Sequence, residues 1–148
     1  MDAVLPQLIE RAQAARDRLA FEARQTAQAL QQSQATLARL QSFRADYLAR
    51  SPATSGAAVS PQALVDWQRF LARLDDAICM QAQECEHRRQ MDDARRQHLG
   101  EGQRRLMAFE TLDRRCAAMR EAGLARRAQR DADEFAARAA RAAARSLR

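Results

Sequence analysis

The chain has 148 residues, of which 5% are aromatic, 30% charged, and only four Gly and three Pro. Its 47% apolar share is dominated by Ala, which favours helix but buries little surface, so a compact core of this size would be poorly filled. A turn-rich β protein and a disulfide-stapled secreted scaffold are both excluded, and the composition fits extended α-helix. The net charge is +6 and every one of the 25 basic residues is Arg. The charge is uneven. Residues 1–99 hold 13 Arg against 12 acids, whereas residues 100–148 hold 12 Arg against 7, so the basic character belongs to the last third.

The N-terminal stretch "MDAVLPQLIERAQAARD" has no positive start followed by an apolar run, which predicts no signal peptide. No segment approaches the ~20 apolar residues of a membrane span. The expected location is the cytoplasm. Helix one is predicted from about residue 3 to 49. One heptad set is Ile9, Arg16, Ala23, Leu30, Leu37 and Arg44; the other is Leu5, Ala12, Leu19, Thr26, Ser33, Leu40 and Tyr47. A seven-residue repeat of this length is an imperfect coiled-coil seam.

Residues 50–61, "RSPATSGAAVSP", read as the one loop. Ser60 is placed as an N-cap, with Pro61 at the first helical position where its φ is preset. Helix two is predicted from about 62 to 145. Its seam starts at Trp67, Leu71, Leu74 and Ile78, weakens through 81–98, and resumes at Leu99, Leu106, Phe109, Leu112, Cys116 and Met119. Gly100, Gly102 and Gly123 are places where this helix can bend.

Folding back near residue 55 pairs the helices antiparallel, with facing residue numbers adding to about 110. The polar stretch 81–98 then lies beside Thr26 and Ser33, which predicts a loosely packed middle. Helix one, about 70 Å long at ~1.5 Å per residue, runs out opposite residue ~107, whereas helix two exceeds 120 Å. Roughly the last forty residues of helix two are left without a partner in the chain, although they include Phe109, Leu112, Met119, Leu124 and Phe135.

Nothing here points to catalysis. There is no phosphate-binding glycine loop and no nucleophile elbow. Asp75–Asp76 and Asp92–Asp93 are adjacent acids that diverge on a helix and read as solvated surface. Cys79, Cys85 and Cys116, with His87 and His98, make no zinc spacing, and no metal or cofactor is expected. Two features rise above background. In "WQRFLARLDDAI", residues 67–78, Phe70, Leu74 and Ala77 form a second stripe beside the seam, which leaves Phe70 partly exposed. The other is the basic C-terminal stretch, which as a membrane helix lacks a concentrated apolar face. Excess Arg suits nucleic-acid binding, but acids are interleaved and no base-stacking aromatics accompany them.

Three segments, "DWQRFLARLDDAI", "GQRRLMAFETLDRR" and "RDADEFAARAA", resemble the flagellar export protein FliJ family in order, spacing and total chain length. That resemblance implies an all-α, long antiparallel two-helix coiled-coil hairpin similar to a rotary ATPase central stalk. It implies a non-enzymatic stalk and escort of flagellar type III export, with a hexameric export ATPase, an export gate membrane protein and export chaperones as partners. Such a protein is cytoplasmic and peripheral at the inner membrane through the export apparatus. The gate contact carries over to Phe70, Leu74 and Ala77, and the next position of that patch is Gln81, a departure from the family pattern. The ATPase-facing end carries over to Arg104, Arg105, Phe109, Arg126, Arg127, Arg130, Asp133, Glu134 and Phe135. The rival readings are the equivalent stalk of a virulence type III secretion system and an Arg-rich helical nucleic-acid-binding protein.

Overall fold

The computed structural model describes residues 4–52, 56 and 58–146. Two helices hold almost all of them: α1, Val4–Ala49, and α2, Pro61–Ser146. Both bounds fall within a residue or so of those read from the sequence, except that residue 3, the expected start of helix one, lies outside the described residues. So do 53–55 and 57 of the loop.

The caps form for local reasons. Ser60 Oγ accepts a hydrogen bond from the Ala63 amide at 3.2 Å, and the Ser60 carbonyl accepts from Leu64 at 3.2 Å. Pro61 follows as the first helical residue, where its missing N–H costs nothing. At the other side of the connection, Arg50 N–H donates to the Asp46 and Tyr47 carbonyls and Ser51 N–H to Leu48. Gly56 takes φ +64°, a left-handed conformation that suits a residue without Cβ. No Pro lies within α2 beyond its first position, and the helix runs through Gly100, Gly102 and Gly123 without interruption.

Packing divides the chain into two units. One comprises Ala14–Gly102 and contains the hairpin connection; the other joins Met1–Gln13 to Gln103–Arg148. In the first, the helices run antiparallel with the heptad seam between them. Ala23, Leu74 and Cys85 are its buried apolar side chains. Leu74 contributes on the order of 1.5–3 kcal/mol by burial, and Ala23 much less.

The facing pairs are Thr26 with Asp92, Ser33 with Cys85, and Tyr47 with Trp67 and Phe70. The two polar pairs add to 118 and the ring pairs to 114 and 117, not 110. The register is therefore one heptad from the sequence expectation. Residues 61–66 of α2 are exposed, and the facing numbers centre the turn near residue 59 rather than 55.

The middle of the seam is also not loosely packed. Asp92 is the most buried side chain described, at 2% exposure, which corrects the reading of it as solvated surface, whereas Asp93 is exposed as read. Its carboxylate accepts a hydrogen bond from Thr26 Oγ1 at 3.2 Å and pairs with Arg96 at 2.8 Å. One layer away, the Gln81 amide donates to the Ser33 carbonyl at 3.0 Å and to Ser33 Oγ at 2.9 Å, and Ser33 Oγ lies 3.2 Å from Cys85 Sγ. Polar residues at seam positions are satisfied by one another across the hairpin, as burial requires. The seam rim carries Arg44–Asp75 and Arg95–Glu22 pairs, the latter at 2.7 Å. At Gly102, a Cβ would stand 2.8 Å from Leu19 Cδ1, so glycine permits the close approach there.

In the second unit the N-terminal turns of α1 pack on α2. Ala12 and Leu106 are buried, and Phe109 and Cys116 are half-buried. Leu112 and Met119, expected in the seam, are 48% and 74% exposed. From Leu124 to Ser146 every residue of α2 is exposed, the C-terminal part of the overhang that the sequence predicts.

Candidate functional site

The hairpin end of the first unit presents an aromatic cluster built by both helices. Phe43 and Tyr47, one turn apart on α1, stack at 6.4 Å. Tyr47 lies 4.7 Å from Phe70 and stacks on Trp67 at 5.7 Å with only 11° between ring planes. Phe43 meets Phe70 edge-on at 6.3 Å. Such offset and edge-to-face pairs each add about 0.5–1.5 kcal/mol beyond area burial. The Trp67 indole N–H is buried with no hydrogen-bond partner among the described residues.

The three residues assigned to the gate patch sit differently in this cluster. Phe70 is 42% exposed, as expected from a second stripe that one partner helix cannot cover. Leu74 is 7% exposed and belongs to the seam. Ala77 is half-buried beside it. Gln81, the departure from the family pattern, is held by its two hydrogen bonds to Ser33. The sequence reading missed Phe43, which is 50% exposed and adjoins Phe70. Its signal was the Phe43–Tyr47 spacing of four, which puts two rings on one helical face.

Below Leu74, Asp75 is paired with Arg44 by a fork: Nε to Oδ1, and Nη2 to Oδ2 at 3.4 Å. The hydrogen bond from Arg44 holds the Asp75 carboxyl below the usual carboxylate range. Partial burial opposes that effect, and the Arg44 charge adds to it. The same bond raises the Arg44 guanidinium above its ordinary value.

The residues assigned to the other end all lie on α2 in the second unit. Arg104 and Arg105 are exposed and Phe109 is half-buried. Arg126, Arg127, Arg130, Asp133, Glu134 and Phe135 are all exposed, Phe135 to 75%. Asp133 accepts from Gln129 at 2.9 Å, and Glu134 pairs with Arg138 at 2.8 Å. These one-turn pairs support the helix without fixing it to anything else, and exposed pairs of this kind contribute little. Nearby, Val4, Leu5, Pro6 and Leu8 of α1 face Leu112 and Cys116 of α2 across an apolar groove of about 460 Å³. The sequence had placed Leu5, Leu112 and Cys116 in the seam; here the same residues line an open groove.

Among the described residues, no group of three or more His, Cys, Asp or Glu is placed to hold a metal ion. No described helix is long and apolar enough to cross a membrane. What the surface offers is side chains for helix-to-protein contact: rings at the hairpin end, and Arg, acid and Phe along α2.

A family model described as flagellar FliJ protein matches residues 1–145. The chain belongs to the FliJ family. The match covers all three segments that carry the resemblance, and both helices. No curated protein and no solved structure gave a significant match. FliJ membership makes the chain a component of the flagellar type III export apparatus, in a family whose role there is non-catalytic. The flagellar reading thus prevails over the virulence-secretion one.

Proposed function

We propose that this FliJ-family chain is a stalk and escort that inserts one end into the hexameric ring of the export ATPase and couples the ring to the export gate. The observation that carries this reading is the exposed run of α2 from Leu124 to Ser146. It is helical with no partner helix among the described residues, yet it carries Leu124 and Phe135 at 64% and 75% exposure. A helix this poor in core-forming side chains depends on a partner for tertiary support. Its alanines keep the cross-section small, and Arg126, Arg127 and Arg130 supply charge for acidic loops lining a ring. Asp133 and Glu134 fit a protein surface of mixed charge and oppose a polyphosphate.

The gate-binding end is the aromatic cluster, with Phe70 as its exposed anchor. Phe43 is added to that surface on geometry. Leu74 supports the patch from within the seam, and Ala77 borders it. Export chaperones are the third class of partner. The protein works in the cytoplasm and reaches the membrane only through the apparatus. A pull-down of the cognate export ATPase by the full chain and by residues 1–120 tests the reading. Retention only by the full chain supports it. Equal retention by both, or DNA binding with a steep salt slope and no ATPase retention, contradicts it.

A further inference from the structure

A heptad seam repeats every seven residues, so its apolar pattern alone permits pairings displaced by one heptad in either direction. In this hairpin the ambiguity is real, because the apolar pattern and the loop length are compatible with facing numbers near 110 as well as with those observed. Something other than the apolar repeat selects the register.

We infer that the buried Asp92 layer is a register lock. Asp92 is 2% exposed, and its two partners, Arg96 and Thr26, come from different helices. Arg96 lies on the same helix, i to i+4, so that pair survives any sliding of α2 along α1. Thr26 lies on the opposite helix, so its hydrogen bond exists in one register only. Slide α2 one heptad one way and Asp92 comes opposite Leu19, while Cys85 leaves Ser33 for Thr26. Slide it the other way and Asp92 comes opposite Ser33, but Leu99 then faces the Thr26 hydroxyl. Both displacements break the Gln81 bonds to Ser33, and each sets a buried polar group against an aliphatic side chain.

The rim pairs add less. Arg44–Asp75 and Arg95–Glu22 are partly exposed, their side chains between 33% and 46%, and long charged side chains find new partners after sliding. Asp92 has no such freedom because it is enclosed. The layer thus opposes stability and favours a single pairing, the best-attested use of a buried polar residue in a coiled coil.

The test uses the full chain with Cys79 and Cys116 changed to Ser and the buried Cys85 kept, and spin labels on Gln34→Cys and Gln97→Cys, both exposed in the unit that holds the lock. These sites are offset along the helices, so a one-heptad slip changes their separation by up to about 10 Å at ~1.5 Å per residue. The chain with the intact layer gives one distance. Thr26→Leu with Asp92→Leu, an apolar replacement of the layer, gives a higher thermal midpoint together with a second distance displaced by roughly a heptad. One unchanged distance in that variant overturns the proposal, since register would then be set elsewhere. Loss of helical signal also overturns it, because an apolar layer at these two positions must pair at least as well as the polar one.

Discussion

Tyr47 and Trp67 lie face to face across the two helices, ring centroids 5.7 Å apart and planes within 11°. Trp67 is the single tryptophan of the chain. The stack closes the hairpin end, and it makes Trp67 fluorescence a direct reporter of that closure. Tyr47→Ala removes the stack and the Phe70 contact, and is expected to cost about 2–4 kcal/mol, the range for losing a half-buried aromatic. The emission maximum should move to longer wavelength and acrylamide quenching should increase, with the far-UV helix signal retained at low temperature.

Phe70 and Leu74 are separable by experiment although they are neighbours in one motif. Phe70→Ala removes a ring that is 42% exposed, so stability should fall by about 1 kcal/mol or less beyond its aromatic contacts. Leu74→Ala empties a buried seam position and should cost about 2–4 kcal/mol. Thermal unfolding measured beside retention on the gate's cytoplasmic domain distinguishes them. Phe70→Ala loses retention while staying folded. Leu74→Ala loses retention only as far as the hairpin unfolds.

The heptad pattern made much of this fold readable. Ser60, Pro61 and the Pro–Gly loop marked the helix ends, and the polar seam residues Thr26 and Ser33 pointed to the polar stretch of α2. What the pattern could not supply was the register, because a seven-residue repeat looks the same after a seven-residue slip. The deciding contacts, Thr26–Asp92 and Ser33–Gln81, are polar and invisible to an apolar count. The same blindness made Asp92 look like surface. At the hairpin end Phe70 was legible from its place beside the seam, whereas Phe43 needed the three-dimensional pairing to join it.

Two glycines in α2 should respond differently to the same Gly→Ala substitution. At Gly123 a Cβ would meet nothing within 4 Å, so Gly123→Ala should strengthen the helix by about 1 kcal/mol. At Gly102 the added Cβ meets Leu19 Cδ1 at 2.8 Å. The gain in propensity is there offset by moving the Leu19 side chain, and Gly102→Ala should be near neutral, with Gly102→Leu destabilising by about 1–3 kcal/mol. Hydrogen exchange around residue 123 and the thermal midpoint for residue 102 check the pair.

Arg44–Asp75 gives the hairpin a pH dependence of known sign. The Asp75 carboxyl is depressed by its hydrogen bond from Arg44, so the unfolded chain binds this proton more readily than the folded one. Its contribution is fully present above the ordinary carboxylate range near pH 4 and is lost as pH falls through the depressed folded value. Asp75→Asn should therefore lower the thermal midpoint at pH 7, with the difference from the unmodified chain shrinking below pH 4. The effect should also shrink in molar salt, since both groups are at the surface.

Stimulation of the cognate export ATPase by residues 1–120, against the full chain at equal concentration, tests the account most directly. If the exposed run of α2 enters the ring, the shortened chain stays a folded hairpin by circular dichroism and no longer stimulates hydrolysis. Undiminished stimulation by the shortened chain would contradict it, because the exposed run of α2 would then have no part in the ring.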